Sequence, residues 1–129
     1  MRRRLHRRSY RQAGRLVPTP TGGLRASTVV LTPGAVMDWH STKTREELLL
    51  AHRGRLCLEV RVATRRTLRR LRLTAGQCAF LPARTWHRVV NRSSSLAAYT
   101  YVTASAKHRR VMKKVATWPR GHTATLIIR

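Results

Sequence analysis

Acidic residues are nearly absent from this chain. Its 129 residues include 28 lysines and arginines but only four aspartates and glutamates, which gives a formal net charge of +24. Cysteine is also scarce, with two residues, and aromatic residues make up 5%. No apolar run approaches the roughly 18 residues that span a bilayer, so we expect no membrane segment. The arginine-rich start lacks an apolar stretch after its charges, which argues against a secretory signal and favours a cytoplasmic protein.

The positive charge is concentrated at the two ends. Residues 1–26 hold eight arginines and no acid, residues 105–129 hold seven lysines and arginines and no acid, and all four acids lie between them. We therefore predict one domain at 27–104, a flexible basic amino-terminal arm at 1–26 and a basic carboxy-terminal segment at 105–129. Such arms attract polyanions, including nucleic acid without sequence preference. Compositional drift toward arginine in a GC-rich coding sequence is the alternative.

Short strand-like runs separated by turn signals fill the central region. Residues 55–62 alternate cleanly, with Leu56 and Leu58 on one face and Arg55 and Cys57 on the other. About seven such runs, with glycine or proline turns every 8–12 residues, predict an all-β antiparallel sandwich or barrel. Beyond it, the valines at 111 and 115 predict a short basic helix within 106–118, and residues 123–129 predict an edge strand.

Both cysteines lie in apolar strand-like runs. Cys57 falls within LCLEV and Cys78 within QCAFL, so we expect two buried, reduced thiols. A disulfide between them is the alternative, because sequence alone does not exclude it.

The first notable segment is GAVMDWHSTKTREELLLAHRG, residues 34–54, which contains three of the four acids. Five residues separate Gly34 from His40, and six residues separate Glu47 from Gly54. Strand alternation would place Asp38 on the same face as His40. A glutamate buried among apolar residues without a partner would be costly, and a divalent cation would remove that cost.

The second segment repeats part of this layout. Gly76 is followed after five residues by Pro82, then by His87 and by Asn91, the only asparagine in the chain. The two segments resemble the paired motifs of the cupin superfamily, G-x5-H-x-H-x3,4-E-x6-G and G-x5-P-x-G-x2-H-x3-N. The resemblance covers about residues 27–104 and departs from the pattern twice. Thr42 stands in place of the second histidine, and an arginine at 84 replaces the internal glycine.

The resemblance implies an antiparallel double-stranded β-helix, the jelly-roll or cupin barrel, with the basic arms outside it. It also implies a divalent transition metal, Fe, Mn, Ni or Zn, held by His40, Glu47 and His87. Two histidines and one carboxylate are a known ligand set for such ions. Thr42 and Asp38 are candidates for a weak ligand or for hydrogen bonds to the ligands. The alternatives are that the histidines are hydrogen-bonded residues of a metal-free barrel and that Glu47 pairs with an arginine.

Arg84 is a candidate contact for an anionic ligand at the mouth of the barrel, or else a solvated turn residue. Trp39 and Trp86, each directly before a motif histidine, are expected on the outer face of the barrel.

Three functions remain open at this point. The first is a metal-dependent enzyme of dioxygenase or isomerase type acting on a small molecule in the barrel. The second is a non-catalytic module that binds a small ligand there, and the third is a basic protein associated with polyanions. Fold does not choose among them. Exposed sheet edges also make a homodimer an expectation.

Overall fold

The computed structural model of the protein describes residues 5–18, 23–61, 67–106, 112–118 and 122–128, the last two as backbone alone. Over these residues the chain forms eleven strands and no helix, so it has no helix able to cross a membrane there. The strands are β1 (Gly14–Arg15), β2 (Arg25–Leu31), β3 (Val36–Ser41), β4 (Arg45–Arg53), β5 (Arg55–Arg61), β6 (Leu68–Thr74), β7 (Cys78–Leu81), β8 (Trp86–Val90), β9 (Ala97–Ser105), β10 (Met112–Trp118) and β11 (His122–Ile128).

Two antiparallel sheets build the barrel. One has five strands in the order β1-β2-β9-β4-β7, and the other has four in the order β3-β8-β5-β6. The chain passes repeatedly from one sheet to the other, because neighbours within a sheet are mostly not neighbours in sequence. The predicted all-β antiparallel architecture is therefore confirmed.

The core lies between the two sheets and follows the period-two pattern of the strands. In β5, Leu56 and Leu58 point into the core, and Leu49 from β4, Val89 from β8 and Tyr99 from β9 pack into the same cluster. Burying each such leucine stabilises the fold by roughly 1.5–3 kcal/mol relative to leaving it exposed. The opposite positions of each strand form the outer faces of the barrel.

Two motif residues have structural roles that are visible in the fold. Gly54 has φ +69°, and a Cβ at this position would collide with the backbone carbonyl oxygen of Leu96, so the tight β4–β5 turn requires glycine. Asn91 is fully buried, and its amide nitrogen donates to the carbonyl oxygens of Leu31 and Ser95 at 3.0 and 2.8 Å. Asn91 therefore ties the end of β2 to the loop after β8.

The amino-terminal region contacts the barrel instead of standing free of it. Strand β1 pairs with β2, which begins at Arg25, inside the range expected to be a flexible arm. The carbonyl oxygen of Tyr10 accepts hydrogen bonds from Thr28 and Thr100, and the Tyr10 ring meets His52 edge-on with centroids 5.4 Å apart. Residues 5–18 thus contact the five-stranded sheet, and the flexibility of the amino-terminal arm stays a prediction. Residues 1–4 and 19–22 lie outside the described residues.

The carboxy-terminal region is a β-hairpin, so the predicted helix is wrong over residues 112–118. Strands β10 and β11 pair over their full length, from Met112 opposite Ile128 to Trp118 opposite His122. The valine spacing misled because positions i and i+4 share a face in a strand as well as in a helix. Among the described strands, β11 pairs with β10 and not with the edge of a barrel sheet. Residues 107–111 of the predicted helix lie outside the described residues.

Both cysteines are free thiols, as expected, but they are less buried than expected. Cys57 in β5 is half-buried and Cys78 in β7 is exposed. The strand pattern explains this, since Ala79 and Leu81 take the inward positions of β7 and leave Cys78 on the outer face.

Candidate metal and ligand site

The two motif histidines are paired directly across β3 and β8. His40 and His87 are register partners, and their ring centroids lie 4.2 Å apart with planes inclined by 58°. A β-bulge between Met37 and His40 shifts the register and sets the direction of the His40 side chain. His87 is buried, with 1% of its surface exposed, whereas His40 is exposed.

Each imidazole is fixed by a carbonyl group of its own strand region. The Nδ1 atom of His40 lies 2.7 Å from the carbonyl oxygen of Asp38, and that of His87 lies 3.1 Å from the carbonyl oxygen of Thr85. A carbonyl oxygen only accepts, so the proton must sit on Nδ1 in both rings. The Nε2 atom of each ring therefore remains for a ligand, which is the arrangement that metal-binding histidines use.

Glu47 meets His87 inside the barrel. It enters from β4 in the opposite sheet, is 8% exposed, and its Oε2 atom lies 3.4 Å from Nε2 of His87. This contact joins one residue from each predicted motif. Among the described residues, however, no three histidine, cysteine or acidic side chains are close enough together to form a metal-binding group. The structure brings Glu47 and His87 together, with His40 beside them.

Thr42 occupies the place of the second motif histidine, and its hydroxyl group is hydrogen-bonded to the turn before β8. Its hydroxyl donates to the carbonyl oxygen of Pro82 at 2.8 Å and accepts from the backbone nitrogen of Thr85 at 2.9 Å. These bonds tie the end of β3 to the turn before β8. Asp38 lines the cavity, but its carboxylate accepts from the backbone nitrogen of Trp39 at 2.7 Å. Both residues thus shape the backbone that carries the histidines.

Arg84 lies in the exposed turn between β7 and β8, and it is not among the residues that line the cavity. Its φ angle is +58°, in the left-handed region that favours glycine. This conformation explains why the family pattern has glycine at this position. The basic groups that line the cavity come instead from β2, β4 and their flanking segments, including Arg25, Lys43 and Arg45.

The site opens into a cavity of about 1250 Å³ lined by all three predicted metal ligands. Its walls include Met37, Tyr99 and Tyr101. Burial, assisted by the nearby charge of Glu47 and by Tyr101, raises the pKa of Tyr99, so its phenol stays neutral. A neutral phenol beside a carboxylate is a hydrogen-bond donor for a bound ligand.

Arg45 is held rigidly at the cavity wall. Its guanidinium donates to the hydroxyl of Thr103 at 2.8 Å, to the carbonyl oxygen of Thr103 at 3.0 Å and to the carbonyl oxygen of Gly23. Burial, together with the charge of Arg25, lowers the pKa of Arg45. Sequence reasoning missed Arg45, Tyr99 and Tyr101. Alternation in β9 places Tyr99 and Tyr101 on one face, which was a usable signal, whereas nothing marked Arg45 among 24 arginines.

The sequence pattern of the cupin-domain family matches residues 27–103. The chain belongs to the cupin family. The match spans the barrel strands β2–β9 and leaves out the amino-terminal segment and the β10–β11 hairpin. No curated protein matches the chain.

Known structures share the cupin barrel. A Cupin 2 conserved barrel domain protein from Salinispora arenicola has 28% sequence identity and a TM-score of 0.60, with 74% of this chain and 76% of that chain covered. An oxalate oxidase has 19% identity and a TM-score of 0.61, with 65% and 43% covered. The Cnp3 cupin domain of Schizosaccharomyces pombe has 14% identity and a TM-score of 0.61, with 71% and 59% covered.

The chain spans only about half of the length of larger proteins that it resembles. It covers 52% of a cysteine peptidase from Thevetia peruviana latex and 43% of the oxalate oxidase. The shared region is the cupin fold, and it occurs both in an enzyme and in the Cnp3 domain. The cytoplasmic location, the homodimer and nucleic-acid binding by the basic arms stay predictions.

Proposed function

We propose that this cupin domain holds a divalent transition metal through His87, Glu47 and His40 and binds a small acidic molecule in the barrel cavity. The observation that carries the proposal is the contact between His87 and Glu47. With its proton on Nδ1, a neutral His87 presents a lone pair to the carboxylate of Glu47. Two buried acceptors that face each other repel, so a positive charge belongs between them.

That charge is either a proton on His87 or a metal ion, and the distance favours the metal. A charge-assisted N–H···O bond is about 2.7–2.9 Å long, and the His87–Glu47 separation is 3.4 Å. Two donors that are each about 2.1 Å from one ion lie about 3.0–3.4 Å apart. The pair therefore fits two adjacent corners of a metal coordination shell.

His40 is the third ligand in this proposal. Its ring is next to that of His87, and its Nδ1 atom is already bonded to a carbonyl, which leaves Nε2 for the ion. Because no three donors form a group within the described part of the chain, His40 must approach the pair when the ion binds. Thr42 is not a ligand, since its hydroxyl holds the turn together. A ligand set of two histidines and one carboxylate admits Fe, Mn, Ni or Zn.

The cavity lining indicates the chemistry of the small molecule. Arg25, Lys43 and Arg45 lie around it and favour a carboxylate or phosphate, while Tyr99 and Tyr101 offer hydroxyl groups. An oxalate oxidase of the same fold has been solved with glycolate, a small hydroxy acid. The basic residues of the cavity would hold the charge of such a molecule beside His40, Glu47 and His87, the residues that would hold the metal. The metal would supply Lewis-acid or redox chemistry, whether the domain acts as an enzyme or as a ligand-binding module.

Elemental analysis of the untagged full chain tests the metal site. We expect near-stoichiometric transition metal in the wild type and in Glu46→Gln, and its loss in Glu47→Gln. Glu46 is the matched control, because it is adjacent, loses the same charge and is exposed. A folded wild type that takes up none of the four metals, or equal loss in both variants, would refute the proposal. Calorimetric titration of glycolate into metal-loaded and metal-free protein then tests the ligand.

A further inference from the structure

The outer face of the four-stranded sheet gathers positive charge from four separate segments. Strand register places Arg55 and Arg61 of β5, Arg70 and Arg72 of β6, and Arg88 of β8 on this face. Arg92, from the loop after β8, joins them through its contact with Glu59. Six arginines against the one carboxylate of Glu59 leave a net charge of +5 on this face. It lies on the opposite side of the sheet from the metal and ligand cavity.

Glu59 holds three of these arginines in place. Its carboxylate is fully buried and accepts from Nε of Arg70 at 2.9 Å, from Nε of Arg88 at 2.8 Å and from a terminal nitrogen of Arg92 at 3.1 Å. Because Arg70 and Arg88 donate through Nε, their terminal NH₂ groups remain for an outside acceptor. Guanidinium groups fixed in this way bind phosphate with less loss of side-chain entropy.

A cavity of about 600 Å³ opens on this face between β5, β6 and the loop after β8. Its lining includes Arg55, Arg70, Arg72 and Arg92, together with Thr74 and Ser93, whose hydroxyl groups donate to Gln77 and Asn91 within the protein. Arginine donors are among the groups that contact phosphate oxygens in nucleic-acid complexes.

Two tryptophans extend the basic face toward β3. The guanidiniums of Arg61 and Arg88 lie 4.9 and 5.1 Å from the centre of the Trp39 ring, which holds both in cation–π contacts. Trp86 is the register partner of Arg61 and is 49% exposed. An exposed indole beside arginines is a stacking surface for an unpaired base.

We propose that this face binds single-stranded nucleic acid, with phosphates on the arginines and a base stacked on Trp86. The cations are spread over three strands and a loop, which suits a chain of phosphates better than one small anion. The exposed indole suits an unpaired base better than a duplex backbone. Charge complementarity supplies affinity without sequence preference, so RNA and DNA share the recognition chemistry.

Fluorescence anisotropy with labelled oligo(U) and oligo(dT) of equal length tests the site on the full chain. The variant Arg55→Gln/Arg72→Gln removes two charges that do not contact Glu59. We expect it to bind about tenfold more weakly, with the slope of log affinity against log salt reduced by about 1.4. The matched control is Arg7→Gln/Arg84→Gln, which removes two exposed charges, one in the amino-terminal segment and one in the turn between β7 and β8. It should change affinity by about twofold or less, because separated surface charges are screened.

Trp86→Leu tests the stacking step, because it keeps an apolar side chain and loses the ring. Affinity for both oligonucleotides should fall about tenfold, whereas binding of a duplex of equal length should not change. Equal weakening by the two double variants would overturn the proposal, and so would a Trp86→Leu variant that binds like the wild type. Tighter binding to phosphatidylserine vesicles than to either oligonucleotide, lost in Arg55→Gln/Arg72→Gln, would overturn it in favour of a membrane surface. Circular dichroism confirms that each variant is folded.

Discussion

The barrel contains two buried glutamates, and their surroundings are opposite. Glu59 lies on the outer side of one sheet beneath three arginines. Glu47 lies inside the barrel, and its Oε2 atom lies 3.4 Å from Nε2 of His87. In a chain with 28 lysines and arginines, an arginine partner was the obvious alternative for Glu47. Arginine partners are found at Glu59 instead.

The difference separates a structural carboxylate from a candidate ligand. Burial alone would raise the pKa of Glu59, but hydrogen bonds from Arg70 and Arg88 and the charge of Arg92 outweigh it and lower that pKa. Its negative charge is therefore neutralised by fixed partners. Glu47 has no such partner within the described residues, and the proposed metal would supply the missing charge.

The largest expected effect comes from adding metal to the wild type and to Glu47→Gln. Without metal, Glu47→Gln should be as stable as the wild type or about 1 kcal/mol more stable, because an amide can donate to Nε2 of His87. At a zinc or manganese concentration 100 times the dissociation constant, the wild type should gain about 2.7 kcal/mol and the variant nothing. Urea unfolding with and without metal measures both values. An equal gain in the two proteins would show that the metal binds elsewhere.

The next largest effect is expected for Glu59→Gln. The substitution removes the charge that gathers three arginines and should lower the free energy of unfolding at pH 7 by about 2 kcal/mol. This is less than the roughly 3–5 kcal/mol typical of broken buried pairs, because the arginines are partly exposed and regain water. Denaturation at matched salt measures it. If Glu59→Gln were as stable as the wild type, the ion pairs of Glu59 with the three arginines would have no net stabilising role.

Lowering the pH should remove the extra stability that the wild type has over Glu59→Gln. The folded-state pKa of Glu59 is lowered, so its stabilisation is present above the unfolded-state pKa of about 4.5 and is lost as pH falls. The difference in unfolding free energy between wild type and Glu59→Gln should thus shrink toward zero below about pH 4. Thermal unfolding over a pH series follows this. A difference that stayed constant with pH would mean that charge is not its source.

The smallest effect is expected at His52, which is half-buried at the end of β4. Its Nε2 atom is buried with no hydrogen-bond partner among the described residues, and burial, with the charge of Arg11, lowers the pKa of His52. Stability should therefore fall as pH drops below about 6.5, by less than about 1 kcal/mol. His52→Phe keeps a ring against Tyr10 and should remove this dependence. The same pH dependence in that variant would assign it to another histidine.

The candidate site residues came from the resemblance to the two cupin motifs, and the structure places His40, Glu47 and His87 around one cavity. Strand alternation alone would not have oriented His40, because a β-bulge shifts the register before it. The contacts of Glu59 with its three arginines could not be predicted from the sequence. Glu59 meets Arg88 and Arg92 29 and 33 residues away, and their pairing depends on which strands become neighbours.

Two other differences between the prediction and the structure have separate causes. The hydroxyl of Thr100 donates a hydrogen bond to the carbonyl oxygen of Tyr10, 90 residues away, and a local sequence pattern does not predict such a contact. The predicted helix failed because its two valines fit either period. Local patterns thus predicted strand faces well, whereas contacts between distant segments needed the fold.

The two thiols give the molecule natural attachment points for chemical probes. Cys57 lines the arginine-bordered cavity on one sheet, and Cys78 is exposed near Phe80 on the outer face of the other. A maleimide dye should modify Cys78 first, leaving Cys57 for a second label under longer exposure. Each fluorophore would then report from one side of the barrel. The unmutated chain can therefore show by footprinting and energy transfer which side a partner covers.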